Sequence, residues 1–110
     1  MNATLEKTLK EYFINTILDL KTKDETTNFL NDFLTPTELE NFSKRLAIGY
    51  YLRKKRSYSN IKNNLGVSSA TIALVEKQMK KKGFELALRK LEAEEWANLW
   101  ATKIKGLIKK

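Results

Sequence analysis

The 110-residue chain is 42% hydrophobic and 31% charged, the proportions of one small globular domain with no room for a second core, so residues 1–110 are expected to form a single domain. It contains no Cys and no His, which excludes a disulfide scaffold, the usual zinc sites, and thiol or imidazole catalysis, so neither metal nor cofactor is expected. A net charge of +8 points to an anionic partner.

With four glycines and one proline, strands and their turns are poorly supplied, and the apolar residues recur with a helical period, so the fold class is all-α. Leu5, Leu9, Tyr12, Phe13, Ile17 and Leu20 make the stripe of a first amphipathic helix. Its charges at Glu6, Lys7, Lys10, Glu11 and Asp19 rule against a signal peptide or membrane span there, and the expected location is the cytoplasm. A second helix is expected at about 24–34, with Phe29, Leu30, Phe33 and Leu34 on one face and Asp24 and Glu25 in its first turn, where the macrodipole favours acids.

Thr35-Pro36-Thr37-Glu38 is the clearest start signal: Thr35 caps, Pro36 suits the first helical position and Glu38 stands at the capping-box position. This third helix carries Leu39, Phe42, Leu46, Gly49, Tyr50 and Leu52 on its apolar face and ends in Arg53-Lys54-Lys55-Arg56, where cations suit the C-terminal dipole. Ser57 then caps a short fourth helix from Tyr58 to Asn64, closed at Gly66, where a left-handed conformation costs little. Ser68 caps a fifth helix running from Ser69 to about Lys81 and stopping near Gly83. A last amphipathic helix, about 84–108, places Phe84, Leu88, Leu91, Trp96, Leu99, Trp100, Ile104 and Leu107 on one stripe rimmed by Arg89, Lys90, Lys103, Lys105, Lys109 and Lys110. That is more apolar area than a monomer of this size needs, which favours burial between subunits.

The charge is concentrated. No acid lies between Glu40 and Glu76, and from Lys44 to Lys82 eleven Lys or Arg face one Glu, a local net of +10 against −2 for the rest. A solvated charge run is the bland reading, but surfaces built only for solubility mix both signs. Nucleic acid is the first polyanion this window fits, an anionic membrane the second.

Short helix, Gly-containing turn and second helix give residues 58–81 the layout of a helix-turn-helix. Ile61 and Leu65 are expected to face inward, Val67 to plug the turn, and Ile72 and Val75 to anchor the second helix. Ser68, Ser69, Ala70, Thr71 and Ala73 then form a small, hydroxyl-bearing helix start able to approach bases and phosphates, with Lys62 and Lys77 flanking it and Lys54, Lys55 and Arg56 beside it as further DNA contacts. A hairpin that merely packs is the structural alternative.

Leu34-Thr35-Pro36-x-Glu38, then Lys44-Arg45-Leu46, then Lys62-Asn63-x-Leu65-Gly66-Val67-Ser68-x-Ala70-Thr71-Ile72 resemble the Trp repressor superfamily in order and spacing, over about residues 30–80. The resemblance implies a six-helix fold, an intertwined homodimer, and recognition helices entering successive major grooves about 34 Å apart. It also implies, in tryptophan-responsive members, an indole held between two arginines. Arg45 matches the first; the second falls on Leu74, and the Gly expected after it falls on Val75. Leu offers no guanidinium face or fork, so no tryptophan corepressor is expected, and Arg45 becomes a phosphate contact or a neighbour of Asn41 and Glu38 on its own helix.

The expected function is a sequence-specific, ligand-independent DNA-binding transcriptional regulator. The competing readings are a helical protein-interaction module without specific DNA binding, and a membrane-surface protein carried by the cationic tail, which Glu92, Glu94 and Glu95 oppose. No membrane partner is therefore expected. An enzyme is disfavoured, since Ser and Thr have no His to activate them and the glycines form no phosphate-cradling loop.

Overall fold

The computed structural model describes residues 1–108, and at helix positions 100, 104, 107 and 108 the backbone alone. The described residues form six helices and no strand: α1 (Ala3–Leu18), α2 (Lys23–Phe33), α3 (Pro36–Arg53), α4 (Tyr58–Leu65), α5 (Ser69–Gln78) and α6 (Lys82–Ile108). The chain divides within α3 into two compact units, Met1–Asn41 and Phe42–Lys110.

In the first unit the helix starts follow from side-chain caps. Asn2 accepts from the Leu5 amide at 2.7 Å and Thr22 from the Glu25 amide at 3.0 Å. At α3 the capping box forms in both directions, Glu38 N–H donating to Thr35 Oγ1 at 3.1 Å and Thr35 N–H to Glu38 Oε1 at 2.9 Å. Two orphan amide donors are thus satisfied reciprocally. Phe13, Phe29 and Phe33 gather their rings with centroids 5.0 to 6.3 Å apart. Neither α1 nor α2 buries a residue fully; Leu5, Leu9, Phe13 and Ile17 remain 43 to 47% exposed.

The second unit holds the core. Ile48 of α3, Ile61 of α4, and Ile72 and Val75 of α5 form one buried cluster, with Tyr51, Leu52, Tyr58, Leu65, Val67 and Phe84 packed against it. Ile61, Leu65, Val67, Ile72 and Val75 therefore take the inward places their spacing predicts. On α3 the deepest residues are Gly49, which the expected face includes, and Ile48, which it omits, while Leu46 and Tyr50 are only partly buried, because the face turned to the helix-turn-helix is set by three helices at once. Gly49 lies under the Phe84 ring, where an added Cβ would stand 2.6 Å from Phe84 Cε1.

Two helix ends and one helix face differ from expectation. Helix α5 ends at Gln78 rather than about Lys81, and α6 starts at Lys82, so Gly83 lies in a first helical turn and not at a stop. The expected single stripe of the last helix is two faces: Phe84, Leu88 and Leu91 turn inward, and the next position on that line is Glu95. Trp96 and Leu99 stand off it, 63% and 54% exposed. The parts of the stripe at Trp100, Ile104 and Leu107, and the rim at Lys109 and Lys110, lie outside the described side chains. No helix among the described residues is long and apolar enough to cross a membrane.

Candidate nucleic-acid interface

Helix α4 begins at Ser57, whose hydroxyl accepts from the Asn60 amide at 3.1 Å, and ends at Gly66 in the left-handed region at φ 64° and ψ 43°. Val67 turns inward, and Ser68 caps α5 by accepting from the Thr71 amide at 3.1 Å. The Ser68 and Thr71 hydroxyls also bond each other at 3.0 Å. Ser68 thus performs the capping task its position predicts, and Thr71 occupies the third helical position, exposed beside it.

Ile72 and Val75 anchor α5 from one side. The opposite side is exposed and carries Ser69, Ala70, Ala73, Leu74 and Lys77, the i, i+1, i+4, i+5, i+8 pattern of one helix face. Its N-terminal half is nearly free of bulk. The sequence reading missed Leu74, weighed only as a lost ligand contact; it is 56% exposed at the centre of this face, an apolar group of the kind that meets a thymine methyl. Its neighbours' inward spacing was the signal that could have found it. Lys62 is exposed on α4.

Glu76, the single acid of the basic window, is exposed but engaged by a side-chain partner. Tyr58 Oη donates to Glu76 Oε1 at 2.7 Å, tying the first residue of α4 to the last turns of α5. That hydrogen bond, with lesser contributions from desolvation and the carboxylate's charge, raises the Tyr58 pKa above the ordinary value of 10.0.

The basic corner after α3 has more internal structure than its sequence reveals. Lys55 N–H donates to Leu52 C=O at 3.0 Å and Arg56 N–H to Tyr51 C=O at 3.1 Å, the paired bonds of a Schellman closure. The closure places Lys55 at φ 64°, where Gly is the usual residue because L side chains clash there. The Arg56 guanidinium lies 4.3 Å from the Tyr51 ring centroid and donates to Asn60 Oδ1 at 3.3 Å. Arg53 Nη2 pairs with Glu92 Oε1 at 3.2 Å, and Lys54 Nζ with Glu95 Oε1 at 3.8 Å, while the Lys54 ammonium also lies 5.4 Å from the Tyr50 ring centroid. Of the four cations, Lys55 projects from the turn itself and Arg56 is held by stacking; Lys54 is shared with α6.

Arg45 stands with its guanidinium carbon 5.3 Å from the Phe42 ring centroid. It lines two shallow cavities, one of about 300 Å³ with Phe42, Leu46, Phe84 and Ala87, the other of about 380 Å³ with Gln78, Lys81, Gly83 and Phe84. Val75 is buried in the core.

Residues 8–92 match the family model described as Trp repressor protein. The chain is 32% identical over 91 residues to the uncharacterized protein YerC of Bacillus subtilis (strain 168), covering 81% of this chain and 86% of that one. Its fold is similar to the crystal structure of a TrpR like protein from Eubacterium eligens ATCC 27750, with a TM-score of 0.73 and 30% sequence identity over 83% of this chain and 96% of that one.

Proposed function

The chain belongs to the Trp repressor family, and on that footing we propose that it is a sequence-specific, double-stranded-DNA-binding transcriptional regulator, a homodimer that works in the cytoplasm without a tryptophan corepressor. The observation that carries this reading is the exposed face of α5. Ser69, Ala70, Ala73, Leu74 and Lys77 stand out from an anchor of buried Ile72 and Val75, inside a window whose one acid is bonded to Tyr58. A helix so presented, with small residues at its start, fits a major groove and lets its first turn reach phosphates.

The roles follow from position. Ser69, Ala70, Ala73 and Leu74 meet base edges, Thr71 and the Ser68 turn meet the backbone, Lys62 and Lys77 flank them, and Lys55 and Arg56 extend the contact to neighbouring phosphates. Tyr58 and Glu76 are positioning residues. The half-open stripe of α1, Leu5, Leu9, Phe13 and Ile17, supports a second copy as its cover. Leu74 in place of an arginine supports ligand independence, since it supplies neither a cation–π face nor a carboxylate fork.

The test is fluorescence anisotropy of a labelled random duplex at 50 and 200 mM salt, on protein whose mass is measured by light scattering. A dimer making six to ten phosphate contacts loses roughly 10³–10⁵ in affinity over that range. Absence of binding at 50 mM overturns the reading and leaves the helical protein-interaction module, which the exposed Trp96 and Leu99 favour.

A further inference from the structure

Glu92 and Glu95 stand three residues apart on one side of α6, and each reaches a cation at the end of α3: Arg53 at 3.2 Å and Lys54 at 3.8 Å. These cations adjoin Lys55 and Arg56, so the corner's four consecutive positive charges fall to a net two once the carboxylates are counted. We propose that Glu92 and Glu95 are affinity-setting residues of the DNA-binding surface, holding Arg53 and Lys54 back from phosphate and so limiting the sequence-independent share of binding. The inference rests on the DNA-binding reading above and concerns how that surface is tuned.

The side chains of the Arg53 pair are about a third exposed and those of the Lys54 pair nearly half. Pairs this open to water are weak and exchange partners readily. A phosphate approaching the corner must displace a carboxylate or share the cation with it, and a fixed acid inside one Debye length repels the phosphate as well. Non-specific affinity scales with the number of cations free to replace counterions, whereas base contacts do not. Withholding two cations beside the helix-turn-helix therefore shifts the burden of binding toward α5. Glu92 is the last residue of the family match and Glu95 lies three residues past it.

Full-length wild type, Glu92→Gln, Glu95→Gln, the double variant and Glu94→Gln are compared by anisotropy on a random duplex between 50 and 200 mM salt. Each further phosphate neutralised steepens the dependence of log affinity on log salt by about 0.9, so the double variant, with two cations freed in each protomer of the dimer, binds more tightly at 50 mM and loses roughly 10²-fold more affinity than wild type across that range. Glu94→Gln, which makes the same change in net charge as either single variant from an exposed position nearby, leaves the slope at the wild-type value. In the Glu95→Gln background, Lys54→Gln cancels the tighter binding. Equal slopes in wild type and double variant, with circular dichroism and melting unchanged, overturn the proposal and reduce the carboxylates to ties between α6 and α3; the least buried substitution, Glu95→Gln, decides alone if the double variant unfolds. Failure of wild type itself to bind the duplex at 50 mM is a different outcome: it removes the DNA reading, and this inference with it.

Discussion

Tyr58 and Glu76, eighteen residues apart, join the two helices of the helix-turn-helix through one hydrogen bond of 2.7 Å from phenol to carboxylate. The bond favours the protonated phenol, so the folded-state pKa of Tyr58 is raised. A raised pKa on an acid means stability that is fully present below the unfolded value of 10.0 and lost as pH climbs through the folded value. In ultraviolet titration Tyr58 is expected to ionise above its ordinary value of 10.0, and Tyr58→Phe is expected to remove a component of the titration above that pH. A variant that loses its tyrosine signal at or below pH 10 instead would refute the bond. At neutral pH, Tyr58→Phe is expected to loosen α5 and weaken duplex binding with little change in helix content.

Thr71→Glu separates folding from binding. Residue 71 is three past the Ser68 cap, so a glutamate there completes a capping box and favours the helix start. The same carboxylate faces phosphate, and like-charge contact at an interface costs several kcal/mol, so duplex affinity is expected to fall at least about a hundredfold while melting is unchanged or higher. Retained binding would move the contact surface off this end of α5.

Gly66→Ala is expected to destabilise the protein by about 1–2 kcal/mol, because φ 64° is unfavourable for any residue with a Cβ. Nothing lies within 4 Å of the added methyl, so the cost is backbone strain alone. Urea titration that finds no loss would show that the turn adopts another conformation.

Lys55 presents the opposite case at nearly the same backbone angle, φ 64°. Lys55→Gly is expected to stabilise the fold by about 1 kcal/mol and, with one cation lost from each protomer, to reduce the salt slope of dimer binding to duplex by about 1.8. A glycine variant that is more stable without losing slope would leave the strained lysine unexplained.

Ile72→Ala, at a fully buried position shared by α3, α4 and α5, is expected to cost about 2–5 kcal/mol in chemical denaturation. A value near zero would mean the cluster is not the core.

Local chemistry made most of the helices legible in the sequence. Thr35 with Glu38, Ser57, Ser68 and Gly66 act through atoms within four residues of themselves, and the inward set from Ile61 to Val75 follows from helical spacing alone. The concentration of cations between Lys44 and Lys82 is likewise a property of composition along the chain. What the linear order could not determine was which charges are available. Tyr58 finds Glu76 across a turn, Arg53 and Lys54 find Glu92 and Glu95 from a helix some forty residues on, and Ile48 rather than Leu46 or Tyr50 becomes the buried face of α3. The physical reason is the same in each case. Caps and spacing depend on bonds and backbone within a few residues, whereas partner choice for an ion, and the face a helix buries, depend on surfaces that meet only after the helices have packed.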